Sequence, residues 1–186
     1  MSTTDDFRDL LRSYLSYLTI LFGWNFTEEE KENTPDRIIK MYQEWKGYAD
    51  YDKMTTFPVP DKFNSLIAVK RIKYGAICSH HLMPFFGTVD IVYLPSDVEF
   101  GMSKLARIVA KNSYRPQSQE KLTEDIAQEL MAEGKLKGVL VKTKGVHTCS
   151  TMRGVKQTES EYIVSAVYGE LRTNSSMRDE AYQMIM

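Results

Sequence analysis

The sequence predicts an α+β domain built around an antiparallel sheet. Three observations carry this. Segments of helical and of strand periodicity follow one another as α-α-β-β-α-α-β-β, which is neither an alternating βαβ series nor an all-helical run. Glycine or proline closes most of the segments. At 186 residues and 42% hydrophobic, the chain has enough apolar material for one core.

Taken in order, Phe7, Leu10, Leu11, Tyr14, Leu15, Leu18, Leu21 and Phe22 recur at helical spacing, and Gly23 ends the helix. Such a stripe faces either the core or another subunit. Thr27-Glu28-Glu29-Glu30 has capping-box spacing and is expected to open a short turn. A second helix is expected from Thr34 at the N-cap, with Pro35 at its first position and Asp36 in its first turn, ending at Gly47. Arg37 and Lys40 share one of its faces.

Residues 50–64, with Pro58 and Pro60, read as a loop. A strand is expected over 65–77, where Leu66, Ala68, Lys70 and Ile72 alternate with Ile67, Val69 and Arg71, apolar on both faces near its start. A second strand is expected over 88–94, ended by Pro95, with residues 83–87 forming a hydrophobic plug before it. The third helix opens near Gly101-Met102-Ser103. Leu105, Ile108 and Val109 face its core side and Lys104 and Arg107 the other. Ser103 sits where a helix N-terminus presents free N–H groups to an anion. After Pro116, a fourth helix runs from Gln119-Glu120 to Gly134, with Leu122, Ile126, Leu130 and Met131 inward. A strand from Val139 is expected to pass through His147 and Cys149, and a last strand to cover 161–171.

Charge and composition exclude several classes. Lys+Arg of 24 against Asp+Glu of 25 leaves a net charge of −1, without the basic excess that nucleic acid or an anionic membrane attracts. The N-terminus is acidic at Asp5-Asp6 where a signal peptide would be basic, and no apolar run approaches the roughly 20 residues of a membrane span. The expected compartment is the cytoplasm, where both thiols stay reduced.

The chemistry concentrates in two places. All three histidines and both cysteines fall in Cys78-Ser79-His80-His81 and His147-Thr148-Cys149. Thiolate and imidazole are the donors Zn²⁺ prefers, and three of them leave one tetrahedral position open to water. Cys78, His81 and Cys149 are the candidate ligands, with His80 and His147 left as acid–base groups. A closed structural site recruiting His147 as fourth ligand is the alternative. Residues two apart on a strand share a face, so His147 and Cys149 can address one site without both binding metal.

The residues that carry this pattern resemble the GTP cyclohydrolase I family. The resemblance runs from Thr34 to the C-terminus through five blocks in family order: residues 34–42 (TPDRIIKMY), 78–87 (CSHHLMPFFG), 101–109 (GMSKLARIV), 115–123 (RPQSQEKLT) and 147–155 (HTCSTMRGV). It implies a T-fold, an antiparallel four-stranded sheet with two helices on one face and helices N-terminal to it. It divides the chain into a helical part over 1–48 and a T-fold core over 65–186. It further implies sheets closing into a pentameric barrel and two pentamers stacking into a homodecamer, with active sites between subunits.

The activity implied is zinc-dependent conversion of GTP to 7,8-dihydroneopterin triphosphate and formate, in folate, pterin or deazapurine synthesis. Carried over, Cys78, His81 and Cys149 bind zinc, His80 and His147 handle protons, and Ser103 assists rearrangement of the ribose. Glu120 reads the guanine edge with Gln119 beside it, and Lys104, Arg107, Arg153, Arg37 and Lys40 hold the triphosphate. No nucleic acid or membrane partner is implied.

The sequence departs from the family pattern in four respects: Ser79 stands where glutamate is usual, Lys144 replaces an acidic residue, the last strand reads Ser160-Glu161-Tyr162-Ile163-Val164-Ser165, and the N-terminal extension is short. These leave two other functions to weigh, a zinc T-fold enzyme acting on another purine nucleotide or a pterin, and a catalytically reduced binding homologue. Retention of all five His/Cys positions counts against the second. Nucleobase deaminases are excluded because their H-x-E…P-C-x-x-C pattern is absent.

Overall fold

Residues 2–47, 55–60 and 63–186 are described by a computed structural model. Most of the segment expected as a loop over 50–64 therefore lies outside the described residues. The elements in chain order are α1 (Thr3–Phe22), α2 (Glu28–Gly47), β1 (Thr56–Pro58), β2 (Ile67–Cys78), β3 (Pro84–Leu94), β4 (Val98–Phe100), α3 (Met102–Ser113), β5 (Pro116–Gln117), α4 (Gln119–Gly134), β6 (Gly138–His147), α5 (Thr148–Thr151), β7 (Tyr162–Gly169), α6 (Glu170–Thr173) and α7 (Ser175–Met184). They divide into two units, Met1–Gly47 and Tyr48–Met186.

In the first unit, Ser2 and Asp5 form a capping box at the start of α1, and Gly23 closes it at φ 69°. α2 begins at Glu28, seven residues before the first helical position, Pro35, expected from sequence. The Thr27 hydroxyl accepts the Glu30 N–H at 3.2 Å and the Glu30 carboxylate accepts the Thr27 N–H at 2.8 Å. The box expected to open only a turn therefore opens the whole helix, with three acidic residues at its positive end. Pro35 lies inside α2, where it removes one helical hydrogen bond. It is buried, one turn before the buried Ile39, so the position serves the face that packs. Arg37 and Lys40 are exposed.

The second unit is organised by a sheet in the order β5-β2-β3-β6-β7. β2, β3, β6 and β7 form the expected four-stranded antiparallel sheet, and β5 adds two residues parallel to β2, pairing Ile77 with Pro116 and Cys78 with Gln117. β1 and β4 form a separate antiparallel pair, so the proline-bearing segment contains a strand that sequence reading took as loop. α3 and α4 pack on one sheet face, where Leu105, Ile108, Leu122, Ile126 and Leu130 meet Val89, Ile91, Val139 and Val141.

Strand β2 changes face midway. Its pairing with β3 shifts between Val69 and Ile72, where Arg71 takes φ 62° and donates its N–H to the buried carboxylate of Asp90 at 2.8 Å. Before this bulge Ile67 and Val69 face the α3/α4 core; after it Ile72, Tyr74, Ala76 and Cys78 do. Because side chains alternate with period two, one inserted residue inverts the parity of everything that follows. The inversion turns Cys78 towards the core side. The strand is apolar on both faces near its start because Leu66 and Ala68 pack on the second cluster, across the sheet from Ile67 and Val69.

Two expectations about chain ends need correction. The strand through His147 stops there, and Cys149 lies on the single turn α5. The last strand ends at Gly169, after which α6 and α7 follow. α7 places Ala181 and Ile185 against Val92, Leu94 and Leu140 on the sheet face opposite α3 and α4. Leu171, expected as strand, is fully buried in that second cluster.

A candidate metal centre and the cavity beside it

Cys78 is the last residue of β2, and the chain turns immediately after it. The Cys78 N–H donates to Met83 O at 2.8 Å, Leu82 N–H returns to Cys78 O at 2.9 Å, and Ser79 N–H donates to Gln117 O on β5 at 3.2 Å. His80 and His81 ride on this turn, both exposed. Across the sheet, Thr148 begins α5 by donating its hydroxyl to Pro84 O at 2.6 Å, which pins the helical turn carrying Cys149 to the start of β3.

The ligand atoms of Cys78, His81 and Cys149 all lie within 4.8 Å of one another. Cys78 Sγ and His81 Nδ1 are 3.7 Å apart. Tetrahedral bonds of about 2.3 Å to sulfur and about 2.0 Å to nitrogen place two such donors about 3.5 Å apart. The three side chains thus have the chemistry and spacing to hold a metal ion. Burial, then the neighbouring Cys78, raises the Cys149 thiol above its ordinary value, and the Arg153 guanidinium acts the other way.

A cavity of about 310 Å³ opens beside these residues, lined among others by His80, Gln119, Glu120, His147 and Tyr162. His147 ends β6, with its ring stacked on Phe85 at 4.6 Å and 8°, and edge-on to Tyr162 at 4.9 Å. Its Nε2 lies 2.8 Å from Gln119 Oε1. Burial holds its pKa below the ordinary histidine value, and the Glu120 carboxylate opposes that shift.

The hydrogen bonds around Gln119 fix which atom of its amide faces His147. Thr123 donates its hydroxyl to Gln119 O at 2.7 Å, so it accepts from Thr143 Oγ1, also at 2.7 Å. Thr143 Oγ1 then accepts from Gln119 Nε2 at 3.0 Å, and Tyr162 O accepts from the same nitrogen at 3.0 Å. Gln119 Oε1 is left facing His147, and an amide oxygen can only accept. His147 therefore carries hydrogen on Nε2. Its other nitrogen, Nδ1, is not used in this network.

Glu120 stands in the first turn of α4, exposed and lining the cavity. Its own backbone N–H, then the Ser118 hydroxyl, hold its carboxyl below the ordinary glutamate value. Seven expected site residues thus gather at one cavity: Cys78, His80, His81, Gln119, Glu120, His147 and Cys149. Ser103, Lys104, Arg107 and Arg153 belong to the same unit but do not line it. Lys104 does not share a solvent face with Arg107. It is 7% exposed and lies one turn before the buried Ile108, its aliphatic stem suited to that position. Arg37 and Lys40 belong to the first unit.

Sequence reading passed over Phe85, Thr123, Thr143 and Tyr162 as site residues. Phe85 and Thr123 lay in quoted motifs without a role of their own, and Thr143 and Tyr162 acquire theirs from strand register. Lys144 is placed differently from what its proximity in sequence to His147 suggests. It alternates with Thr143 and Gly145, faces away from the cavity, and lines a separate hollow with Lys70, Thr88, Asp90 and Glu161.

The family model for GTP cyclohydrolase I matches residues 13–186. GTP cyclohydrolase 1 of Sulfurihydrogenibium sp. is 38% identical over 88% of this chain and 87% of its own. The protein of that name from Clostridium perfringens is 35% identical over 96% and 97%, and that from Aquifex aeolicus 38% identical over 84% and 85%. Among solved structures, the apo form of the archaeosine synthase QueF-Like aligns at a TM-score of 0.45 and 20% identity, covering 58% of this chain and 97% of that one. With a match that spans the cavity, the two cysteine-bearing turns and the whole sheet, the chain belongs to the GTP cyclohydrolase I family.

Proposed function

We propose that this protein converts GTP and one water to 7,8-dihydroneopterin triphosphate and formate, with zinc held by Cys78, His81 and Cys149. The observation that carries the reading is a two-thiolate, one-imidazole donor set beside a histidine of fixed tautomer, in a cavity that also presents the Glu120 carboxylate. Zinc bound there supplies Lewis acidity, bringing the ionisation of water down to about pH 7.

The chain's own residues divide the remaining work. Glu120 accepts hydrogen bonds from the guanine N1–H and 2-amino group, its charge favoured by the start of α4. Gln119 holds His147 by Nε2, leaving the bare Nδ1 to take the proton that the attacking water gives up and pass it to the guanine ring nitrogen as the C8 bond opens. His80, on the exposed turn, also handles protons, and Ser103 assists the ribose rearrangement. Lys104, Arg107, Arg153, Arg37 and Lys40 bind the triphosphate, whose several negative charges require converging cations.

The cations on α3 do not line this chain's cavity, which supports sites completed by a neighbouring copy in a homodecamer of two pentamers. No helix among the described residues is long and apolar enough to cross a membrane, and we place the enzyme in the cytoplasm. The shifted-substrate reading loses one of its supports, since Lys144 faces away from the cavity.

The test follows formate release and pterin fluorescence together, with GTP and other purine nucleotides, on metal-assayed protein. GTP is expected to give both products in equal amounts. Glu120→Gln replaces an acceptor with a donor facing ring N–H groups, and is expected to lower kcat/KM for GTP by about two orders of magnitude. Parent-like turnover of GTP by that variant would show that the cavity does not read guanine through Glu120.

A further inference from the structure

Four residues stand in one row across the sheet: Tyr74 on β2, Gly87 on β3, Gly145 on β6 and Tyr162 on β7. Tyr74 is 5% exposed, and its hydroxyl is buried without a hydrogen-bond partner among the described residues. Its ring meets Phe85 edge-on at 5.9 Å, and Phe85 stacks on His147. The hydroxyl reaches as far as Gly145. A Cβ there would lie 2.5 Å from Tyr74 Oη and 2.8 Å from Gln119 Oε1. The missing side chain of Gly145 is therefore the space into which the phenol oxygen and the amide oxygen both project.

We propose that Tyr74 is a positioning residue of this site: its hydroxyl, unpaired among the described residues, turns across the gap at Gly145 to donate to Gln119 Oε1 and so helps to hold His147. The acceptor has room for it. An amide oxygen carries two lone pairs, and His147 Nε2 uses one. The donor is available because a phenol keeps its proton at neutral pH, and burial shifts the Tyr74 pKa further upward. A second donor on Oε1 raises the cost of turning the amide over, which would present NH₂ to His147 and invert its tautomer. Gly145 is the other half of the device, since any larger residue occupies the space where the two oxygens approach.

The inference rests on the cavity being the reaction site, and the experiment separates the two. Tyr74→Phe deletes the hydroxyl alone. With metal content unchanged, it is expected to lower kcat about tenfold with KM within about twofold of the parent. Gly145→Ala should act in the same direction, and the double variant should lose less than the product of the two single losses, because both disturb one contact. Independently of turnover, solid-state nuclear magnetic resonance of ¹⁵N-histidine protein reads the three imidazoles of the chain. The parent should show His147 protonated at Nε2 with Nδ1 bare, and Tyr74→Phe should add a second tautomer. A hydroxyl with only a packing role gives a different result: Tyr74→Phe would raise the melting temperature, keep the parent's kcat and leave the imidazole signals unchanged. That outcome overturns the proposal. A parent that does not process GTP but shows the tautomer shift on Tyr74→Phe would overturn the proposed function and keep this inference.

Discussion

His147 Nε2 and Gln119 Oε1, 2.8 Å apart, separate two readings of the histidine–cysteine cluster. A histidine whose Nε2–H is committed to an amide oxygen keeps Nδ1 for chemistry, and it stands outside the Cys78–His81–Cys149 donor group. Removing a ligand and removing the histidine should therefore have different consequences. Cys149→Ala leaves two donors, too few for a stable zinc site, and is expected to lose the metal and all turnover. His147→Ala is expected to keep one metal per chain and lose a factor of about 10²–10⁴ in kcat. Metal analysis and kcat on the same preparations check the pair, and metal loss from His147→Ala would point to a closed four-ligand site. The grouping of the candidate metal donors was readable in the sequence because rare residue types coincided in two short segments. The setting of Gln119 was not. Its partners Thr123, Thr143 and Tyr162 are ordinary helix and strand residues until folding brings them to one amide.

At the scale of elements, the bulge at Arg71 decides which way Cys78 points. Local alternation shows apolar residues on both faces of this strand but cannot say where the parity changes, because the answer depends on the buried carboxylate of Asp90 on the neighbouring strand. α2 failed to start where expected for a related reason. Thr34-Pro35 suits a helix N-terminus locally, yet the Thr27 box starts the helix earlier and burial of Pro35 holds the proline inside it. Asp90 offers the cleaner test. Asp90→Ala leaves the Arg71 N–H without its acceptor and is expected to destabilise the fold by about 1–3 kcal/mol. With the bulge loosened, Cys78 is held less firmly, so zinc affinity should fall as well, although Asp90 faces the opposite side of the sheet. Denaturant melts and a competitive chelator titration read the two effects. A variant that loses stability but retains parent zinc affinity would uncouple the bulge from the metal site.

On the scale of the whole molecule, the chain leaves two kinds of surface that call for a partner. Among the described residues β2 is covered by β5 only at Ile77 and Cys78, and β7 is the other edge of the sheet, so backbone groups on both margins are open to pairing there. In the first unit, α1 carries two apolar seams. One includes Leu15, which is buried; the other, Leu10, Tyr14, Tyr17 and Leu21, is 63%, 54%, 62% and 67% exposed. The spacing of the second seam is four, three, four, the alternation by which helices pair along a shared stripe. Sequence periodicity identified this helix as facing a core or another subunit. The structure adds that its apolar stripe is wider than one partner helix covers. Sequence pattern could not reveal that division, because adjacent residues such as Tyr14 and Leu15 contribute to different seams. Burying such side chains between copies is worth about 1.5–3 kcal/mol for each large apolar residue, and the proposed homodecamer is expected to use it. Light scattering of the parent should give about ten times the 21.5 kDa chain mass. Tyr17→Glu with Leu21→Glu places two charges in the seam and should shift the protein to smaller species, with the zinc content of the chain unchanged. A parent with the mass of one chain would rule out the assembly. A double variant with the parent's mass would place the contact between copies elsewhere, leaving the open sheet margins as the surfaces that join them.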